Sequence, residues 1–139
     1  MATGAVVTWG SAAAGGDCTL AAEQLQGGVR HVFCTGHAFA ALKFSGAVIS
    51  WGDPAVGGDS SSVAAQLRQG VRAVSATYYA FAALKEDGTI VAWGDAKHGG
   101  DCSAASEQLR FVEAVFSNRH AFAALVDDGS VVAWGHPDC

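Results

Sequence analysis

Positive charge is scarce in this chain. Eight Lys and Arg stand against 13 Asp and Glu, a formal net charge of −5 at pH 7, and the basic residues are scattered singly. Such a surface repels a phosphate backbone, so nucleic acid is not expected as a partner. Long apolar runs are missing as well. No stretch reaches the roughly 18 uninterrupted apolar residues that span a bilayer, and Met1–Val7 lacks the basic and long apolar segments of a secretory signal. A soluble protein without a signal or transmembrane segment is expected, one still able to lie against a membrane complex. Cysteine is sparse: Cys18, Cys34, Cys102 and Cys139 make neither a disulfide framework nor the paired C-x-x-C spacing of a zinc site. Cys18 and Cys102 share a repeat position with Ser60, which favours a small side chain over chemistry. A bridge involving Cys34 or Cys139 stays open. The sequence also has no G-x-S-x-G elbow and no H-E-x-x-H.

What the chain does have is repetition. Phe39-Ala-Ala-Leu42 recurs as Phe81-Ala-Ala-Leu84 and Phe122-Ala-Ala-Leu125, each followed by a turn glycine (Gly46, Gly88, Gly129) and a Trp-Gly pair. The tryptophans are Trp9, Trp51, Trp93 and Trp134, spaced by 42, 42 and 41 residues. Self-similarity at such a period marks a repeat architecture. One domain over 1–139 is expected, divided into a partial repeat at 1–14 and full repeats at 15–56, 57–98 and 99–139.

Each full unit opens on Gly-Gly-Asp, with Asp17, Asp59 and Asp101 placed to cap a following helix of two to three turns. Leu25, Leu67 and Leu109 would line its buried stripe, with Ala21, Val63 and Ala105 four residues earlier. A β-branched segment follows, with Val at a three-residue interval (Val29 and Val32, Val71 and Val74, Val112 and Val115). Three is not a strand period, so a strand with a bend or bulge is expected. Phe-Ala-Ala-Leu then forms one arm of a hairpin. Phe and Ala lie on one pleat face, Ala and Leu on the other, so both faces should be covered. The fold class is therefore mainly β with short helices, each repeat a helix and three strands. Four Trp-Gly strands for three units favour an open propeller-like or solenoid stack over a closed pseudo-threefold β fold.

The unit Val71-x-x-Val74, Ala83-Leu84, Asp87-Gly88, Trp93-Gly94 and Gly99 resembles the regulator of chromosome condensation type of repeat. That resemblance implies bladed β-propellers, which in the family have about seven units. The family includes a nucleotide-exchange factor, ubiquitin-ligase accessory domains and a bacterial inhibitor of β-lactamases. This chain departs from it in shorter units, in Gly-Gly-Asp where the family has G-Q-L-G, and in Thr35, Thr77 and Asn118 ahead of the Ala-Leu strand. The short variant is similar to tandem arrays in proteins of unicellular algae, which implies an accessory place in a pigment-bearing membrane complex of a plastid. A shared fold does not carry the exchange activity with it.

The repeats differ most in the loop after the first strand, at His37, at Tyr78 and Tyr79, and at Arg119 and His120. Variation within a repeated frame places specificity there, and these are the candidate interaction residues. A capping aspartate supplies too few oxygens for calcium, and His37 and His120 share a position filled by Tyr79 in between, so neither a metal, a cofactor nor a catalytic residue is expected. Trp51, Trp93, Trp134 and Trp9 are expected to close the apolar layers between units, with each indole N–H on a neighbouring carbonyl. The expected role is a non-catalytic protein-interaction or structural module with protein partners, within a multi-subunit complex. The alternative is a carbohydrate-binding module that stacks one Trp or Tyr per unit on sugar rings.

Overall fold

The computed structural model describes residues 5, 25–105 and 107–136. Trp9 and Asp17 lie outside them, as do Cys18 and Cys139. The described chain forms nine strands: β1 (Val29–Cys34), β2 (Ala38–Lys43), β3 (Val48–Gly52), β4 (Val71–Ala76), β5 (Ala80–Lys85), β6 (Ile90–Gly94), β7 (Val112–Ser117), β8 (Ala121–Val126) and β9 (Val131–Gly135). They make three separate antiparallel sheets in the orders β1-β2-β3, β4-β5-β6 and β7-β8-β9. Each sheet is one blade.

The three-residue valine interval has a structural cause. Val71 pairs with Lys85 but Ala73 pairs with Leu84, so the register slips by one residue, and the same slip occurs at Val29/His31 and Val112/Ala114. The bulge returns both valines of each pair to the same face of the sheet. The hairpins close through Gly88 and its counterparts. Gly88 has φ 83°, Lys85 N–H donates to Thr89 O at 2.9 Å, and Asp87 accepts from both the amide and the hydroxyl of Thr89.

Pleating sorts each blade into two apolar faces. Phe81, opposite Trp93, and Ala83, opposite Val91, face the preceding blade. They join Val71, Val74 and Leu67 in one core with Ala38, Ala40, Leu42 and Val48 of the first blade. The other face of the same strand, Ala80, Ala82 and Leu84, packs on Val112, Phe122, Ala124 and Trp134 of the third blade. Alanine at the strand centre is what lets successive sheets approach so closely. The cross-strand pairs Phe39–Trp51, Phe81–Trp93 and Phe122–Trp134 stack at 5.5, 5.3 and 5.3 Å. All three indoles are buried, and the Nε1–H of Trp93 and of Trp134 donates to Gly57 O and Gly99 O, each at 3.1 Å.

Polar bonds also link the blades. Val71 N–H donates to Gly46 O and Val112 N–H to Gly88 O, while on β4 Arg72 donates to Glu113 O and Ser75 to Val115 O. Across blades, β4 lies against β1 and β2, and β7 against β4 and β5, so successive sheets fan outward as propeller blades do.

The helix of two to three turns is a correction. In the second repeat Ser61–Val63 is a single 3-10 turn, followed by irregular turns that end with Leu67 N–H bonded to Val63 O and Ala64 O. Too few residues separate the Asp59 cap from Gly70 to offset the cost of nucleating an α-helix, so burial of Leu67 sets the backbone path instead. Asp59 Oδ1 accepts from Ser61 N–H and Asp101 Oδ1 from Ser103 N–H, both at 2.9 Å. Hydrogen bonding from those serines, side chain first and then backbone, holds both carboxyls below the ordinary carboxylate range. A second 3-10 turn, at Pro54–Val56 and again at Ala96–His98, follows Trp51-Gly52 and Trp93-Gly94 and is capped by Asp53 or Asp95. No helix among the described residues is long and apolar enough to cross a membrane.

Candidate functional site

The variable loops Thr35–His37, Thr77–Tyr79 and Asn118–His120 lie at one end of the fan, and backbone bonds join them in series. Gly36 N–H donates to Tyr78 O and Tyr78 N–H to Arg119 O, both at 2.8 Å. Three residues from three blades thus form one continuous edge. Side chains also fix each loop. Thr35 Oγ1 donates to Val56 O and the buried Thr77 to His98 O, both at 3.0 Å, while Asn118 Oδ1 accepts from the amides of His120 and Ala121 at 2.8 Å. Thr77 and the half-buried Thr35 therefore tie their loops to the turn after the Trp-Gly strand, while the exposed Asn118 closes its own loop.

On this frame Tyr78 projects outward, 42 % exposed. Its ring lies over Gly36, where a Cβ would come within 2.3 Å of it, and it meets His37 edge-on at 6.1 Å. The Arg119 guanidinium sits 5.6 Å above the ring, a cation–π contact. Tyr79 turns the other way. It packs on His98 at 4.3 Å and on His120 at 5.5 Å, and His98, His120 and His136 have their ring centroids 5.2 to 6.1 Å apart. The sequence reading singled out His120 but missed His98 and His136. The signal was the Trp-Gly register: Asp95 N–H bonds to Tyr79 O and His136 N–H to His120 O. Residues just past Trp-Gly are thereby laid beside the variable loop.

The imidazoles are stacked or tilted against one another, and among the described residues no group of three or more His, Cys, Asp or Glu is arranged to hold a metal ion. Asp95 Oδ1 lies 3.3 Å from His98 Nδ1, and the buried His120 Nδ1 has no hydrogen-bond partner among the described residues. Desolvation first, then the charges of His98, His136 and Arg119, push the His120 pKa below the ordinary imidazole range. The sign follows from proton binding. As pH falls, the unfolded chain takes up this proton first, so stability declines from about pH 7 and levels off once the folded state also protonates. A His120→Phe variant, which keeps the ring stack without the titratable nitrogen, is expected to lose less melting temperature than the parent between pH 7.5 and pH 5.5. Equal losses in the two proteins would assign the acid sensitivity elsewhere.

Cys34 is an exposed free thiol and Cys102 a half-buried one whose pKa is raised by burial, the opposite of what an activated nucleophile requires.

No protein-family model matches the chain, and no curated protein matches it. Among solved structures the chain is similar to the crystal structure of Kap60 bound to yeast RCC1 (Prp20), with 19% identity and a TM-score of 0.56. The match covers 77% of this chain and 29% of that chain, so the present sequence spans under a third of its structural neighbour. Three antiparallel blades stacked through alternating Phe-Ala and Ala-Leu faces define an RCC1-like β-repeat fold.

Proposed function

We propose that the chain is a non-catalytic protein-interaction module that binds a protein partner through the edge carrying His37, Tyr78, Tyr79, Arg119 and His120. The observation that carries this reading is the exposed Tyr78 with Arg119 stacked over it, on an edge whose backbone is bonded across three blades. Tyrosine and arginine dominate the energetic centres of protein interfaces, and a preordered frame loses little entropy on binding. The structural neighbour, a complex between RCC1 (Prp20) and Kap60, supports the class of role by fold alone. An accessory place in a multi-subunit assembly, a photosynthetic membrane complex among them, is the finer form of the same proposal.

A sugar-binding reading has less to rest on. The three described indoles are buried in the core, and the exposed Tyr78 has Gly36 and Arg119 at its position in the other two repeats, so one aromatic ring per unit is not on offer.

Affinity purification from native extract tests the proposal. The parent chain is expected to retain a stoichiometric protein partner that a Tyr78→Ala/Arg119→Ala double variant loses by about tenfold or more, as removal of interface anchors does, with the melting temperature preserved. Retention unchanged in the double variant, or saturable binding on a glycan array in place of a protein partner, would overturn it.

A further inference from the structure

The face of the third blade that points away from the second is uncovered. Val48 and Phe33 of the first blade pack against the second, Val48 at 5 % exposure, whereas their counterparts Val131 and Phe116 are 66 % and 61 % exposed. The turn glycines show the same gap. A Cβ at Gly46 or Gly88 would strike the backbone of the next blade, at Gly70 or Phe111, whereas Gly129 has nothing within 4 Å. Phe116, Ala123 and Ala133 form one cross-strand row on this face and line a cleft of about 480 Å³ toward the loop end, while Val131, paired with Leu125, stands toward the turn end. The outer face of the first blade is closed. Leu25, Val29, Ala41 and Trp51 on it are buried at 0%, 9%, 0% and 4% exposure, with Phe39 and Ile49 packed against them. A second copy of the chain therefore has only the like face to offer, and a contact between like faces is isologous.

Backbone groups decide how two such faces meet. In both internal contacts the loop end donates to the next loop (Gly36 N–H to Tyr78 O, Tyr78 N–H to Arg119 O), and the turn glycine accepts from the next blade (Gly46 O from Val71, Gly88 O from Val112). The corresponding Arg119 N–H and Gly129 O have no backbone partner among the described residues. Charge sorts the same way. The cleft at the loop end is lined by no acid and includes Asn118 and His136. The turn end carries the exposed Glu113, Asp127 and Asp128 against one base, Arg110, and position 113 faces outward, as Arg72 at the same repeat position reaches toward the next blade. Like ends together would set three carboxylates against three. Turned end for end, each unpaired donor meets an unpaired acceptor, twice.

We infer that this face of the third blade is a dimer interface: a second copy docks the same face in reverse orientation about a two-fold axis, seating each Val131 over the other's cleft beside Phe116. The contact closes on itself, so assembly stops at two copies. It does not rest on the function proposed above, because the Tyr78 ring and the guanidinium stacked over it lie on the side of the loop toward the second blade.

Sedimentation equilibrium of the full chain is expected to show one reversible step from monomer to dimer with rising concentration. Val131→Asp sets a carboxylate against the partner's cleft twice per dimer and is expected to raise the dissociation constant about tenfold or more. Its melting temperature should stay near the parent's, since the side chain is exposed. The orientation is read from a pair of variants. End for end, Ala133 lies toward the partner's acidic turn end, so the Ala133→Lys dimer is expected to be about tenfold tighter than the Ala133→Glu dimer, a difference that shrinks at high salt. With like ends together each substitution would repel its own copy, and the two constants would match. A parent that stays monomeric at every concentration, growth beyond a dimer, Val131→Asp dimerising as the parent does, or equal constants for the Lys and Glu variants would each overturn the inference.

Discussion

Phe81→Ala is expected to destabilise the fold by about 3–5 kcal/mol, the range for emptying a fully buried aromatic site. Phe81 is wholly inaccessible. It stacks on Trp93 at 5.3 Å and shares a core with Ala38, Ala40 and Leu42 of the preceding blade. The cavity would open on the boundary between two sheets, where small side chains leave little to collapse into it. Against a total stability of about 5–15 kcal/mol for a domain of this kind, the loss is large enough to read directly from urea unfolding. A shift in midpoint worth under about 1 kcal/mol would show that the ring contributes little to the packing between blades.

The second large effect is at a glycine. A Cβ on Gly58 would lie 2.2 Å from Gly52 O and 2.3 Å from its carbonyl carbon, with Asp53 behind at 2.7 Å. All of these atoms are backbone, held in a loop that Gly58 N–H closes on Asp53 O at 2.8 Å, so no side chain can swing aside. Gly58→Ala is expected to cost about 3 kcal/mol or more, at the upper end of overpacking effects. Gly129→Ala makes the comparison. It has positive φ but open space around it, so only the backbone strain of about 1–2 kcal/mol applies. Thermal melts of the two variants in parallel check the order, and equal losses would contradict it.

The repeat, the hairpins and the two-faced Phe-Ala-Ala-Leu strand were legible in the sequence because each rests on local chemistry repeated three times. Even the bulge could be read, since valines three apart share a face only if one residue is skipped. The helix could not. Ala-rich spacing after Asp59 looks helical, but the segment is too short to nucleate, and Leu67 is drawn into the core from a 3-10 turn and irregular backbone. At the candidate site, variability singled out the loops at His37, Tyr78 and Arg119. Their joining by Gly36 N–H to Tyr78 O and Tyr78 N–H to Arg119 O depends on how blades stack, which no local pattern encodes. His98 and His136 were missed for the same reason: they reach the loops through pairing of the strand that ends in Trp-Gly.

The central claim, that each blade supplies the apolar cover its neighbour lacks, is tested most directly by amide hydrogen exchange on the Phe81→Ala chain beside its parent. If the blades share one core, protection at residues 40–42 of the first blade should fall together with that at residues 81–84 of the second. Loss confined to residues 80–94, with the first blade exchanging as in the parent, would contradict it.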